Sequence, residues 1–275
     1  MLAIEQWPEL QDPVMIVSFT GWVDGGLAGA GAAAVLLEQL QASRTCATLD
    51  LADTVDLQQT RPTVSLVEGE VRRVHWPTVE FVAGVAGRDV LVVTGPEPSV
   101  RWKAVVDEIV GFATSVGVTQ CVTLGGMPSP VSHRRPISVL ATASSRSVAQ
   151  ESGAIRGDYL GPTGIQTVLQ IALGAAGIPT VGLWAQVPHY VAGTPSPPAI
   201  RAILERVREL TRLEVDLRAL DDQADAYAEQ VESGLAERPD VAALVRQLEE
   251  VDGAEALPSG DDLAREIERF LRDES

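Results

Sequence analysis

Short apolar runs alternate with amphipathic or small-residue stretches through the first two-thirds of the chain. Residues 14–19 (VMIVSF) and 90–94 (VLVVT) are nearly continuous apolar runs, the pattern of strands buried on both faces of a parallel sheet. Between and after them, residues 26–40 and 100–116 read as helices. Further strands fall at 120–124, 137–143 and 180–187, with a helix at 165–175. Strand–helix–strand alternation of this kind predicts an α/β layer fold with a mainly parallel sheet. Residues 61–85 break the scheme. A Glu-Gly turn flanked by β-rich runs predicts an antiparallel hairpin inserted there, hence a mixed sheet.

The pattern changes near Ser196. Ser196 suits an N-cap, and Pro197 and Pro198 suit the first helical turn, where a missing N–H is not needed. From there onward the spacing is almost only helical. Val241, Leu244, Val245, Leu248 and Val251 share one face, as do Leu263, Ile267, Phe270 and Leu271, with the connector 253–260 between the two sets. These shifts predict an α/β domain over residues 1–212 and an acidic helical extension over 213–275.

Charge sharpens that division. The net charge is −17. Residues 201–275 hold 21 acidic and 10 basic side chains, a net of −11, which leaves −6 for the first 200. No basic patch is present to displace counterions from a phosphate backbone, which argues against nucleic-acid binding. No run reaches the roughly 18 apolar residues of a membrane span. The opening MLAIEQWPELQDP lacks a basic start and carries Glu5, Glu9 and Asp12, so no secretory signal is expected and the cytoplasm is the expected compartment. Cys46 and Cys121 sit in strand-like apolar segments and read as buried reduced thiols. Neither a CxxC nor a His/Cys zinc spacing occurs, so no metal and no cofactor is expected.

The candidate chemistry lies at the ends of the predicted strands. Gly21-Trp22-Val23-Asp24-Gly25-Gly26 follows the first apolar run and opens a helix, where ligands meet α/β sheets. Asp24 would either cap that helix or face a pocket, with Trp22 over the sheet edge. A GxGxxG fingerprint is absent. Glu97, between Pro96 and Pro98, is either a carboxylate tying down a loop or a pocket acid. His133-Arg134-Arg135-Pro136 could bind a carboxylate or phosphate, or make internal ion pairs. Tyr159-Leu160-Gly161-Pro162-Thr163-Gly164 precedes a helix with Thr163 available as N-cap, and its backbone N–H groups form a candidate anion cradle. His189 and Tyr190 close the 180–187 strand as candidate acid–base or ligand contacts, or as groups satisfying backbone polar atoms at an interface.

The ordered series GWVDGG (21–26), TRP (60–62), HWP (75–77), GPEPSVRW (95–102), LGG (124–126), HRRP (133–136), YLGPTGI (159–165) and LWAQVPHYV (183–191) resembles the proteasome assembly chaperone family, in its actinobacterial branch. The resemblance covers roughly residues 10–250 and brings Arg61 into the candidate set. It implies a three-layer α/β sandwich similar to the nucleoside phosphorylase/hydrolase fold, with a C-terminal helical extension. It also implies a homo-oligomer, a trimer in this branch, and proteasome α-subunits as the partner class. Relatives often dock through a C-terminal hydrophobic–tyrosine–any tail, whereas this chain ends Leu271-Arg272-Asp273-Glu274-Ser275 without a tyrosine. Val23 stands where the branch usually has asparagine, and HRRP departs from Pro-His-Thr-Arg-Pro. Two functions follow as alternatives. One is a non-enzymatic assembly or binding protein whose loops are partner surfaces. The other is a nucleoside- or phosphate-binding protein, or a hydrolase or phosphorylase-like enzyme, using the α/β cleft. Convergence of Asp24, Glu97, His133, Arg135, His189 and Tyr190 in one concave pocket would favour the second, and their spread along a surface the first.

Overall fold

The computed structural model describes residues 1–155 and 157–250. An eight-stranded mixed sheet is its frame: β1 (Leu2–Ile4), β2 (Val14–Thr20), β3 (Gln41–Asp50), β6 (Thr78–Val85), β7 (Asp89–Pro96), β8 (Gln120–Ser129), β9 (Val139–Ala143) and β10 (Thr180–Pro188). Their order across the sheet is β1-β3-β6-β7-β2-β8-β10-β9. The central four, β7, β2, β8 and β10, run parallel. The flanking strands are antiparallel.

The central strands bury both faces, as their continuous apolar sequence requires. In β2, Val14 and Ile16 point into one core while Met15, Val17 and Phe19 point into the other. β7 repeats the division with Val90 and Val92 against Leu91 and Val93. Helices α1 (Ala28–Gln39) and α5 (Pro197–Thr211) cover the first face. Helices α2 (Trp102–Ser115) and α4 (Ile165–Ala175) cover the second, which makes three layers. Cys46 and Cys121 are free and buried in this second core.

Three features depart from what the sequence predicts. The hairpin of 61–85 is not inserted in the main sheet. Its strands β4 (Thr63–Val67) and β5 (Glu70–His75) form a separate two-stranded sheet, and the main sheet resumes at β6 after Pro77, which has no N–H to pair. Its turn is as read: Glu68 (φ 52) and Gly69 (φ 83) are both left-handed, as a two-residue hairpin loop needs. Second, β1, three residues long, and the short helix α3 (Arg146–Ser152), with little apolar content, do not stand out in the sequence. Third, Ser196 holds the N-cap position of α5, but its hydroxyl makes no bond to the helix.

After α5 the chain runs extended, with Leu213, Val215 and Leu217 buried in the first core. A reciprocal pair holds this run to α1: Asp216 N–H donates to Gln39 Oε1 at 2.7 Å, and Gln39 Nε2 donates to Asp216 O at 2.9 Å. Helices α6 (Arg218–Ala236) and α7 (Pro239–Glu250) follow. Leu235, Val241 and Val245 form a small core of their own beneath Tyr190. The expected helical face that includes Leu263, Ile267, Phe270 and Leu271, Val251 and the chain's last residues lie outside the described residues. Among the described residues, no helix is long and apolar enough to cross a membrane.

Candidate functional site

Because β7, β2, β8 and β10 are parallel, their C-terminal ends share one edge of the sheet. The loops carrying Trp22 and Asp24, Glu97, His133 and Arg135, and His189 and Tyr190 all leave from that edge. The N-terminus of α4, with Tyr159 and Thr163 just before it, returns to it. The candidate residues therefore share one side of the molecule, in two groups.

The first group surrounds two carboxylates. Asp24 is buried, and its two oxygens accept the N–H groups of Gly29 at 2.6 Å and Ala30 at 3.1 Å. This satisfies donors in the first turn of α1 that have no intrahelical partner. Burial pushes the Asp24 carboxyl up to about 6, while the two backbone bonds pull it down. Glu97 does the equivalent for α4: its Oε1 accepts the Ile165 N–H at 2.9 Å. Burial raises its pKa, again against that bond. The loops meet closely enough that a Cβ on Gly164 would lie 2.0 Å from Val23 Cγ1 and 3.0 Å from Glu97 Oε1.

Two expectations change here. Thr163 does not cap α4; Gly164 holds the N-cap position and Glu97 supplies the acceptor. The chain's own carboxylate thus takes the Ile165 N–H, the first donor after residues 159–164. The Tyr159 hydroxyl donates to Pro162 O at 2.7 Å, closing its own loop. Trp22 is not packed down over the sheet edge: it is exposed, as are Tyr159 and Leu160.

The second group is a clamp on the helical extension. The Tyr190 hydroxyl is hydrogen-bonded to His133 Nδ1 at 2.7 Å, and the same oxygen accepts the His133 backbone N–H at 2.9 Å. His133 Nε2–H then donates to Glu232 of α6 at 3.1 Å, with the imidazole only 2% exposed. Arg134 forks onto Glu232 at 2.5 and 3.0 Å and reaches Glu249 of α7 at 2.9 Å. The Arg134 bonds, with the His133 bond behind them, hold the Glu232 carboxyl down to about 2. Arg135 donates to the Glu249 carbonyl oxygen at 2.9 Å, at the α7 C-terminus. Of the two uses open to the His-Arg-Arg segment, the described contacts of Arg134 and Arg135 are internal. His189 directs Nδ1 at Ser129 O, 3.2 Å away, and packs edge-on to Tyr190.

Burial raises the Tyr190 phenol, the wrong direction for a nucleophile or base at neutral pH. With Glu232 also bound by Arg134, the Tyr–His–Glu series works as a tether between body and extension. Beside it, a groove of about 640 Å³ runs between residues 190–197 and α6. Of the ten candidate residues only Tyr190 lines it. The six titratable candidates thus spread along the sheet edge and do not converge in that cavity. Arg61 stands apart at the base of the hairpin, exposed and without a hydrogen bond or ion pair among the described residues. No group of three or more His, Cys, Asp or Glu is placed to hold a metal among the described residues.

Glu232 and Glu249 are bonding partners of the site that sequence reasoning passes over. Both lie in an acidic helical region where no local signal separates the two bonded glutamates from their solvated neighbours.

Three comparisons bear on this arrangement. The PAC2 family model matches residues 18–234. A PAC2 family protein from Streptomyces avermitilis is 38% identical with a TM-score of 0.78, over 85% of this chain and 100% of that one. A proteasome-assembly chaperone homologue from Mycobacterium tuberculosis is 35% identical with a TM-score of 0.77, over 84% of this chain and 99% of that one. An archaeal proteasome activator from Pyrococcus furiosus, 20% identical with a TM-score of 0.69 over 85% of this chain and 97% of its own, shares the fold. No curated protein matches the chain.

Proposed function

This chain belongs to the PAC2 family, and from that premise we propose that it is a non-enzymatic assembly protein that acts by binding other proteins. The observation that carries the reading is the commitment of its polar residues at the strand ends. Asp24 and Glu97 hold helix N-termini, and His133, Arg134 and Arg135 hold α6 and α7. Groups so engaged support a rigid surface. The exposed Trp22 and Tyr159 beside them, with Arg61 at the base of the hairpin, are then the partner contacts, with Thr163 and His189 shaping the loops beneath.

Proteasome α-subunits are the proposed partner class, in keeping with the description of the Mycobacterium tuberculosis relative as a proteasome-assembly chaperone homologue. Self-association is part of the same reading. No cofactor, nucleic acid or membrane is required, and the cytoplasm is the proposed compartment. Co-purification with proteasome α-subunits at moderate salt is the expected result, and loss of that capture in Trp22→Ala/Tyr159→Ala would place the surface. A thermal-shift panel of nucleosides, phosphate and ATP tests the opposite. A ligand that binds only the native state raises its melting temperature, so a concentration-dependent rise would overturn the non-enzymatic reading.

A further inference from the structure

Helix α6 carries one face that its neighbours leave uncovered. Of its nineteen residues only Leu220 and Leu235 are buried. Gln223, Ala226, Tyr227, Gln230 and Val231 follow one another at helical spacing, so they share a face, and all five line the groove of about 640 Å³ beside Tyr190. Val191, Pro195 and Pro197 line it from the opposite side, and Val241 from the start of α7. Arg238 is the one charged residue on its walls among the described residues. A mainly apolar groove open to water marks an interaction surface, and a groove walled by a helix face suits the apolar side of another helix.

The sequence beyond Glu250 supplies an occupant. Leu263, Ile267, Phe270 and Leu271 recur at helical spacing, while Arg265, Arg269 and Arg272 fall on the opposite side of the same helical projection. The last described turn lies next to the groove. Arg135 donates to the Glu249 carbonyl oxygen, and Arg134 and Ser132 donate to the Glu249 carboxylate. His133, in the same loop, donates its backbone N–H to Tyr190, a residue of the groove wall. Val241 and Glu249 stand eight positions apart on α7, about 12 Å at 1.5 Å per residue. The connector 253–260 holds Gly253, Pro258 and Gly260, residues suited to a reversal of direction. A helix over residues 261–272 would run about 18 Å, enough to return from the Glu249 end of α7 to the groove at Val241.

We propose that residues 261–272 turn back along α7 as an amphipathic helix and lay Leu263, Ile267, Phe270 and Leu271 into the groove of their own chain. A segment joined by a short connector meets its site at an effective concentration on the order of millimolar, so it takes the groove ahead of a second copy. The extension is then fastened to the body twice. His133, Arg134 and Arg135 hold α6 and α7 from one side, and the returning segment joins α6 to residues 190–197 from the other. The inference stands apart from the function proposed above, since it concerns how the chain covers its own surface.

Proximity within the full chain tests it. Ala226 is exposed on the groove wall, and Cys46 and Cys121 are buried, so introduced thiols are read alone. A short bismaleimide is expected to link Ala226→Cys/Phe270→Cys within one chain. Ala226→Cys/Arg272→Cys moves the second thiol two residues on, to the opposite helix face, and is expected to link several-fold less. Equal linking of the two pairs overturns the proposal, because a segment with no fixed face reaches Ala226 equally from both positions. Absence of any link overturns it too, and links between chains do so by putting a second copy's segment in the groove. Amide exchange reads the same contact without new thiols. Ile267→Asp/Phe270→Asp is expected to raise exchange several-fold across residues 223–235 and to leave β2 and β7 unchanged, and unaltered exchange there overturns the proposal.

Discussion

The Glu97 carboxylate accepts the Ile165 N–H at 2.9 Å across 68 positions of sequence, so the end of β7 supplies the cap of α4. Glu97→Ala leaves the first turn of α4 without an acceptor and is expected to cost about 1–2 kcal/mol. Glu97→Gln keeps an acceptor oxygen and should cost less than half as much. Urea unfolding of the two variants against wild type measures both, and equal losses would show that the bond contributes nothing.

Asp24 introduces a pH dependence. Its folded carboxyl is raised to about 6 from an ordinary 3.8, so the folded state holds the proton more tightly than the unfolded chain. The contribution of this group to stability is therefore greatest below about pH 4 and declines as pH rises toward 6, by an amount on the order of 3 kcal/mol. Asp24→Asn should remove that slope. Urea midpoints at intervals from pH 4 to 7 are expected to fall more steeply for wild type than for the variant.

Two glycine classes separate close approach from mere tolerance. A Cβ on Gly126 would lie 2.0 Å from the carbonyl oxygen of Gly25, against backbone that cannot yield cheaply. Gly126→Ala should destabilise by about 1–3 kcal/mol. Gly111 in α2 and Gly234 in α6 meet nothing within 4 Å. Their replacement by alanine should stabilise by about 0.5–1 kcal/mol, through helix propensity alone. Thermal melts of the three variants check the order.

Loss of the clamp should loosen the extension before it unfolds the body. The Arg134 and Glu232 side chains are each more than two-fifths exposed, so their pairing is screened by solvent. Arg134→Ala is expected to move global stability by less than about 1 kcal/mol. Amide exchange in α6 and α7 should nonetheless rise several-fold, with the sheet unchanged. Unaltered exchange in those helices would remove Arg134 from its tethering role.

Cys46 and Cys121 offer a simple control on the core. Burial pushes both thiols above their ordinary range. Neither should react with Ellman's reagent at pH 8 in the native protein, and both should react in guanidinium.

Much of the body was legible in the sequence because buried parallel strands have a local signature. The runs VMIVSF and VLVVT are apolar at nearly every position, and a two-faced core explains that. The Glu-Gly turn was legible for the same kind of reason, since a two-residue hairpin loop has strict backbone demands. The ordered loop motifs were equally local, and they carried the family.

Only the tertiary structure decided the use of the polar residues. Thr163 looked like the cap of α4 because it is the nearest hydroxyl, yet the acceptor came from Glu97, far away in sequence. His133, Arg134 and Arg135 read equally as an anion site or as ion pairs until α6 and α7 delivered Glu232 and Glu249. The physical reason is common to these cases. Apolar periodicity is a property of neighbours along the chain, whereas a hydrogen bond is set by distance and angle between groups that only folding brings together.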